Sequence, residues 1–395
     1  MTWAELQEQR RRRAEKQRRE EELKEIAKGP IDLPFLLLVT LLTGIGLIML
    51  FSASFPRAYY DGLSPTYYLT RQGAFAIAGF CAMLMIAKIN YRRFRAFAKL
   101  LLLISIVLLA LLMVPGVGLT RNNATRWLGV GELFTVQPSE IAKFAVVLYF
   151  SDTISQKKDK MRTIRYGIIP YVLILGIIAA LMMWQPHLSG TILILGVGAI
   201  LMFAGGIRWI WVILIGGIAV VVGYLLLTGV IDYGQDRIAM WFDPWIDAQD
   251  AGYQMVQSLI AIGSGGLLGT GLGKSRQKFL YLPEEHNDMI FSIVCEELGL
   301  VGACIILLLF AALIIRGYWI ALHARDRFGS LLVVGCISLI AMQVFLNVGV
   351  VTGLLPATGI SLPFFSYGGT ALLIQMAEMG VILSVSRQMK PPKNG

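Results

Sequence analysis

The sequence predicts an all-α integral membrane protein: ten transmembrane helices, both termini in the cytoplasm, and a large extracytoplasmic loop between helices 7 and 8. Three observations carry that reading. Of 395 residues, 56% are hydrophobic and only 15% are charged, and the mean hydropathy is +0.68, which describes a polytopic membrane protein and excludes a soluble enzyme. Apolar runs close to the roughly 20 residues needed to cross a bilayer recur along the chain. Lys and Arg gather on alternate connections, the bias that marks cytoplasmic loops.

The chain opens on a charged cytoplasmic tail, residues 1–30. It mixes nine Lys or Arg with seven Glu and stops at Gly29-Pro30. Such a segment is solvated and helical, and its basic run Arg10 to Arg13 can brush anionic lipid. No cleavable signal peptide is expected, because the first apolar run follows this tail and carries no small-residue cleavage site. Spans are placed at about 33–54, 70–89, 97–115, 138–153, 166–184, 187–204, 207–228, 288–315, 329–354 and 367–386. They form one membrane domain, residues 31–387, with residues 229–287 as the large outer loop and 388–395 as a cytoplasmic C-terminal tail. The fourth span is short and carries Lys143, so it is tilted, buried among its neighbours, or partly re-entrant.

With the N-terminus inside, cytoplasmic segments hold 26 of the 35 Lys and Arg. The eight outside are Arg57, Arg71, Arg121, Arg126, Arg237, Lys274, Arg276 and Lys278, and six of them fall in two outer loops, residues 116–137 and 229–287. Cations kept on the disfavoured side point to a function, although pairing with nearby Glu132, Asp232, Asp236, Asp243, Asp247 and Asp250 is the plainer alternative.

Within the first of these loops the glycines and Asn122-Asn123 mark turns. Arg126-Trp127 sets a cation beside a large amphipathic ring, which is either a binding element or an interfacial anchor. Pro138 suits the first turn of the fourth helix. Glu140 and Lys143, three apart, share one helix face, an expensive pair in an apolar span unless it borders a polar cavity. His187, in the hairpin Trp184 to Gly190, is either a ligand or proton carrier or, as expected, a histidine bonded to a nearby backbone carbonyl. Residues 232–253 are too polar to span and should lie along the outer surface, anchored by Trp241 and Trp245.

The most unusual stretch is Tyr253 to Gly299. Seven glycines between Gly252 and Gly273 precede Lys274, Arg276 and Lys278, a mixture of bare backbone and cations suited to phosphate or diphosphate. It lacks the Gly-Lys-Ser/Thr ending of a nucleotide loop. Asp288 then stands where the eighth span begins, either as a helix cap or as a base at the mouth of a membrane helix. Glu296 and Glu297 follow roughly 12 Å deeper and read as buried, hydrogen-bonded structural groups. A second broken segment, Thr358 to Thr370, is either a re-entrant turn lining a cavity or a plain loop. The four cysteines lie in apolar runs without paired spacing and read as small hydrophobes, and three histidines are too few for a histidine-built metal centre.

Together these residues resemble the SEDS family (shape, elongation, division and sporulation) over essentially all ten spans. The resemblance rests on Arg126-Trp127, Gln137-Pro138-Ser139-Glu140 with Lys143, Gly252-Tyr253-Gln254 with Gln257-Ser258, Ala261 to Gly266, Leu282-Pro283-Glu284 through Asp288, Glu296-Glu297, and Leu362-Pro363 with Ser366-Tyr367-Gly368-Gly369. Gly273 to Lys278 and Ser386-Arg387 look more like the division and sporulation branch than the elongation branch. The resemblance implies a peptidoglycan glycosyltransferase of the bacterial cytoplasmic membrane that polymerises lipid II on the outer face, with a class B penicillin-binding protein and other divisome or elongation proteins as partners, among membrane lipids and without nucleic acid.

Asp288 falls on the family's proposed catalytic aspartate. Arg126, Trp127, Glu140, Lys143, Lys274, Arg276, Lys278 and Ser366 are the expected substrate-binding set. The metal site is unknown, with a divalent cation (Mg or Mn) at the diphosphate as the one cofactor in view. Two departures stand out: His286-Asn287-Asp288-Met289 where the family often has His-Thr-Asp-Phe, and Gln185-Pro186-His187 where many members have Gln-Pro-Asp. A lipid II flippase, using the same cations and cavity, is the alternative function, although no inverted repeat relates the two halves.

Overall fold

The computed structural model describes residues 29–121, 124–130, 134–211 and 240–389. It is mostly helical. Among the described residues, seven helices are long and apolar enough to cross a membrane. The chain runs through α1 (Leu33–Tyr60), α2 (Tyr67–Lys88), a 3-10 turn (Tyr91–Phe97) continuing into α3 (Ala98–Leu111), and a three-stranded sheet of β1 (Gly118–Arg121), β2 (Ala124–Val130) and β3 (Phe134–Val136). It continues as α4 (Pro138–Lys157), α5 (Ile169–Trp184) and α6 (Leu188–Ala204), then α7 (Tyr253–Gly265), α8 (Ile290–Leu322), α9 (Arg327–Val351) and α10 (Gly369–Ser386). Nine of the ten expected spans carry a helix; the seventh, at 207–228, lies almost wholly outside the described residues, as do the charged tail with Arg10 to Arg13 and Arg237.

Helix starts follow their sequence signals. Asp32 caps α1 by accepting from Phe35 N–H at 3.1 Å, with Pro34 in the first turn, where its missing N–H is not needed. The same carboxylate takes both forks of Arg316 at 3.0 and 2.8 Å, tying the start of α1 to the far end of α8. Asp326 caps α9 through Gly329 N–H at 2.8 Å and pairs with Arg92 at 2.9 Å. The most buried helices are α4, α9 and α10, against which α2, α3, α6 and α8 pack. Burial is how α4 keeps Glu140 and Lys143 in an otherwise apolar span: the fourth helix is enclosed by neighbours, not exposed to lipid.

Two expectations need correction. The segment 116–137, read as turns, builds the antiparallel sheet β1–β2–β3, with Leu119 opposite Trp127 and Leu128 opposite Val136. Its β-branched and aromatic residues suit a pleated surface, and Thr120 and Thr125 bond across it at 2.8 Å. The glycine-rich stretch is not an open loop either, since its first half is helix α7. A Cβ on Gly265 would fall 2.0 Å from the Cys295 carbonyl, and one on Gly269 would fall 2.1 Å from that of Glu297. These glycines let the chain lie backbone to backbone on α8, which itself breaks at Gly299 (φ 66°, ψ −171°). Thr270 and Gly271 N–H groups donate to Glu296 and Glu297 carbonyls across this contact at 2.9 and 3.0 Å. All four cysteines are free.

Candidate functional site

A cavity of about 630 Å³ opens where the ends of α1, α2, α4 and α6 meet β2, the turn before α8 and the segment leading into α10. Its wall is unusually charged for the interior of a helical membrane bundle. Arg57, Arg71, Arg126 and Lys143 supply cations, Asp61, Glu140, Glu284 and Asp288 supply carboxylates, and Tyr68, Phe75, Trp127 and Tyr367 supply rings. Arg57 in the last turn of α1 pairs at 3.5 Å with Asp61, the residue that caps its C-terminus. Lys143 holds Glu140 at 2.7 Å, so the pair expected on one face of the fourth span does border a polar cavity. Arg126 reaches off β2 to the carbonyls of Gln185 and Pro186, fixing the hairpin between α5 and α6 against the sheet.

Asp288 stands one residue before Met289, which occupies the cap position of α8 and makes no side-chain cap bond. It does not cap the helix. Its turn is braced at several points. Asn347 of α9 donates to the Asp288 carbonyl at 2.7 Å and to the Ile360 carbonyl at 2.6 Å. Ser366 donates to the Asn287 carbonyl and accepts from Leu362 N–H, both at 2.7 Å. Asn287 donates to Glu284, and Tyr367 N–H donates to the His286 carbonyl at 2.9 Å. The carboxylate faces Gly359, where a Cβ would sit 3.4 Å from Oδ2. A side chain at 359 would crowd the space beside that oxygen.

The family model described as "cell cycle protein", that of FtsW, RodA and SpoVE, matches residues 33–391. The chain belongs to this family. It is 40% identical over 371 residues to "Probable peptidoglycan glycosyltransferase FtsW" of Geobacter metallireducens, covering 93% of this chain and 97% of that protein. It is 43% identical over 358 residues to "Stage V sporulation protein E" of Bacillus subtilis, covering 90% and 97%. A solved chain described as "Structural coordination of polymerization and crosslinking by a peptidoglycan synthase complex" superposes with a TM-score of 0.76 at 26% identity, over 91% of this chain and 98% of that one. The rod shape determining protein RodA of Thermus thermophilus superposes with a TM-score of 0.67 at 26% identity, over 92% and 98%.

For this FtsW/RodA/SpoVE relative, the cavity gathers Asp288, Arg126, Trp127, Glu140 and Lys143 from the residues singled out by sequence. It does not gather the other four. Lys274 and Arg276 are exposed and lie off the cavity wall. Lys278 is fully buried: its Nζ pairs with Glu297 at 2.8 Å, bonds Ser52 at 3.1 Å and stands 5.1 Å from the centre of the Phe55 ring. It serves a structural pair because Glu297 points into the protein and needs a counter-charge. Glu296 likewise accepts from Ser275 Oγ and from Arg276 N–H at 2.8 Å. Ser366 has its hydroxyl committed to the brace described above. Sequence reasoning passed over Arg57 and Arg71 as site residues, although both stand among the eight cations that the charge count leaves outside the segments read as cytoplasmic, the signal that could have found them.

Proposed function

We propose that this multi-pass membrane protein is a peptidoglycan glycosyltransferase that joins lipid II disaccharides into glycan strands at the outer face of the bacterial cytoplasmic membrane. The observation that carries this reading is the sharing of one cavity by Asp288 and four cations. Asp288 accepts the proton from an acceptor sugar hydroxyl as its oxygen forms a bond to the donor's anomeric carbon. The bond from that carbon to the prenyl diphosphate breaks, and the leaving group departs with the electron pair as an anion. Arg126 and Lys143, with Arg57 and Arg71 nearby, stabilise that developing charge. One carboxylate suffices because a diphosphate needs no proton to leave, in contrast to the two of most glycosidases.

Among the described residues, no three His, Cys, Asp or Glu side chains converge to hold a metal ion. A Mg or Mn ion here would have to be held by the diphosphate oxygens with one or two of Asp61, Glu284 and Asp288, and would add a further charge against the leaving group. No step above is routed through it.

The finer architecture follows the same reading: ten spans over residues 31–387, charged tails at 1–30 and 388–395 in the cytoplasm, and the cavity outside, supported by the distribution of Lys and Arg. The solved peptidoglycan synthase complex supports a class B penicillin-binding protein as the cross-linking partner, and the Bacillus relative supports a role in division or sporulation. The test is polymerisation of fluorescent lipid II by the purified protein with its partner. Asp288→Asn should cut turnover by about 100-fold or more. Glycan ladders from both forms would remove the base assignment, and ladders from neither would favour a lipid II flippase.

A further inference from the structure

The turn before α8 carries a buried acid that the reaction above leaves unused. Glu285 is wholly buried, and among the described residues neither of its carboxylate oxygens has a hydrogen-bond partner. A carboxylate taken out of water is costly unless a donor or a counter-charge answers it. The group beside it is His286, whose Nδ1 stands 3.5 Å from Glu285 Oε1 and is itself buried and unbonded among the described residues. The backbone sets this arrangement. Glu284 has a left-handed φ of 55°, which costs energy for a residue with a Cβ, and its carbonyl accepts from the N–H groups of Asn287 and Met289 at 3.0 and 3.2 Å. The bend puts Glu284, His286 and Asp288 on the cavity wall and leaves Glu285 behind it.

The two ends of the His286 ring differ. Nδ1 faces the acid and is closed to the cavity, yet the side chain is 11% exposed and lines that cavity. Its open part is the far edge: Nε2 makes no hydrogen bond within the described residues and, unlike Nδ1, keeps accessible surface. Tyr68 and Tyr367 hold the ring from two sides, with centroids 4.8 and 6.0 Å away. A carboxylate can only accept, so the proton belongs on Nδ1 and the neutral ring keeps a lone pair at Nε2. At 3.5 Å the contact is longer than a formed bond, as bonds in such sites often are before substrate is seated. A lone pair repels a diphosphate oxygen, which carries no hydrogen, and suits a hydroxyl. Asp288 lies two residues on along the same wall, so a sugar that offers it one hydroxyl brings the neighbouring hydroxyls to His286.

We propose that Glu285 and His286 form a carboxylate–imidazole dyad, in which Glu285 bonds Nδ1–H and thereby turns the Nε2 lone pair toward a hydroxyl of the acceptor sugar. His286 touches the substrate, and Glu285 is a positioning residue that acts through it. The ring orients the sugar without taking a proton, which goes to Asp288. This rests on the function proposed above and adds to it the groups that align the acceptor.

Two measurements on the full chain in detergent test this. The sequence holds three histidines, so isotope labelling of their ring nitrogens gives an NMR spectrum in which His286 is identified by the signals that His286→Gln removes. Wild type should show Nδ1 protonated and Nε2 bare, and Glu285→Leu should abolish that preference. A bare Nδ1 in wild type, or a tautomer that Glu285→Leu leaves unchanged, overturns the dyad. The second measurement is polymerisation of fluorescent lipid II with the partner, at a temperature where the variants are folded. His286→Ala should lower kcat/KM about tenfold, as loss of one hydrogen bond does, and His286→Gln, whose carbonyl reaches the place of Nε2, should stay within about threefold of wild type. Glu285→Leu should lower kcat/KM about threefold or more, but added to His286→Gln it should change nothing further, a pattern that a merely structural acid does not give. Full activity in His286→Ala, a loss that His286→Gln shares, or an equal Glu285→Leu effect in both backgrounds overturns the assignment and leaves the proposed function standing. A wild type that makes no glycan overturns the proposed function and the sugar contact together, with the tautomer still reporting on the dyad by itself.

Discussion

Lys278→Met separates a structural cation from a substrate ligand. In the native protein, Lys278 Nζ and Glu297 Oε1 are 2.8 Å apart with both side chains wholly buried, and Ser52 Oγ reaches both carboxylate oxygens at 2.7 Å. At that separation and an effective dielectric near 20, the gross attraction is about 6 kcal/mol. Desolvation cancels much of it, but removing one partner still costs roughly 3–5 kcal/mol, because the other charge is left buried and uncompensated. Lys278→Met should therefore lower the unfolding free energy in mixed detergent by about that amount. Replacing both residues, as Lys278→Met with Glu297→Leu, should cost less than the sum of the two single changes, with a coupling of about 2 kcal/mol or more. Polymerisation by Lys278→Met, measured at a temperature where the variant is folded, should stay within about threefold of wild type, since uniform loss of transition-state contact is absent. A variant of native stability that has lost polymerisation by 100-fold or so would refute the reasoning and return Lys278 to the diphosphate.

Three further outcomes are expected. Gly299→Ala should destabilise by roughly 3 kcal/mol or more, because the backbone there has φ 66° and a Cβ would fall 2.2 Å from the Gly269 nitrogen; thermal unfolding in detergent reads it. Lys143→Met should cost about 3–5 kcal/mol, again by unfolding, and adding Glu140→Gln should recover part of the loss by removing the stranded carboxylate. For His187, burial first and the charges of Arg126 and Lys143 second lower the folded pKa from 6.5 to about 3, so below pH 6.5 the unfolded chain binds a proton that the folded chain refuses. Stability should thus decline as pH falls from about 6.5 toward 3, and the apparent melting temperature of ligand-free His187→Asn should fall less steeply over that window.

Spans were legible because burial in lipid imposes one simple demand, a run of apolar residues about 20 long, and that demand is local. The Glu140–Lys143 pair was legible for a similar reason, since three residues of helix put both side chains on one face. The sheet was not: strands of four, seven and three residues leave too short an alternation to stand out among glycines and asparagines. The glycines of the 253–273 stretch were read as a ligand cradle because sequence gives their freedom of conformation but not their neighbour. That neighbour is the backbone of α8, more than twenty residues on. Lys278 reads as a substrate cation on the same ground, because its partners Ser52 and Glu297 lie on two different helices. The signal for Arg57 and Arg71 was present in the charge count and was outweighed by the two richer loops.

The clasp made by Glu296 and Glu297 also bears on biosynthesis. Residues 266–278 leave the ribosome ahead of the two carboxylates that hold them, so the stretch waits with its amides and Lys278 still unanswered. It can settle only once the following helix has entered the bilayer to the right depth. Cleavage by added protease at Lys274 and Arg276 would consequently gauge whether that helix is seated, rapid in a nascent or mis-inserted chain and slow in a finished one.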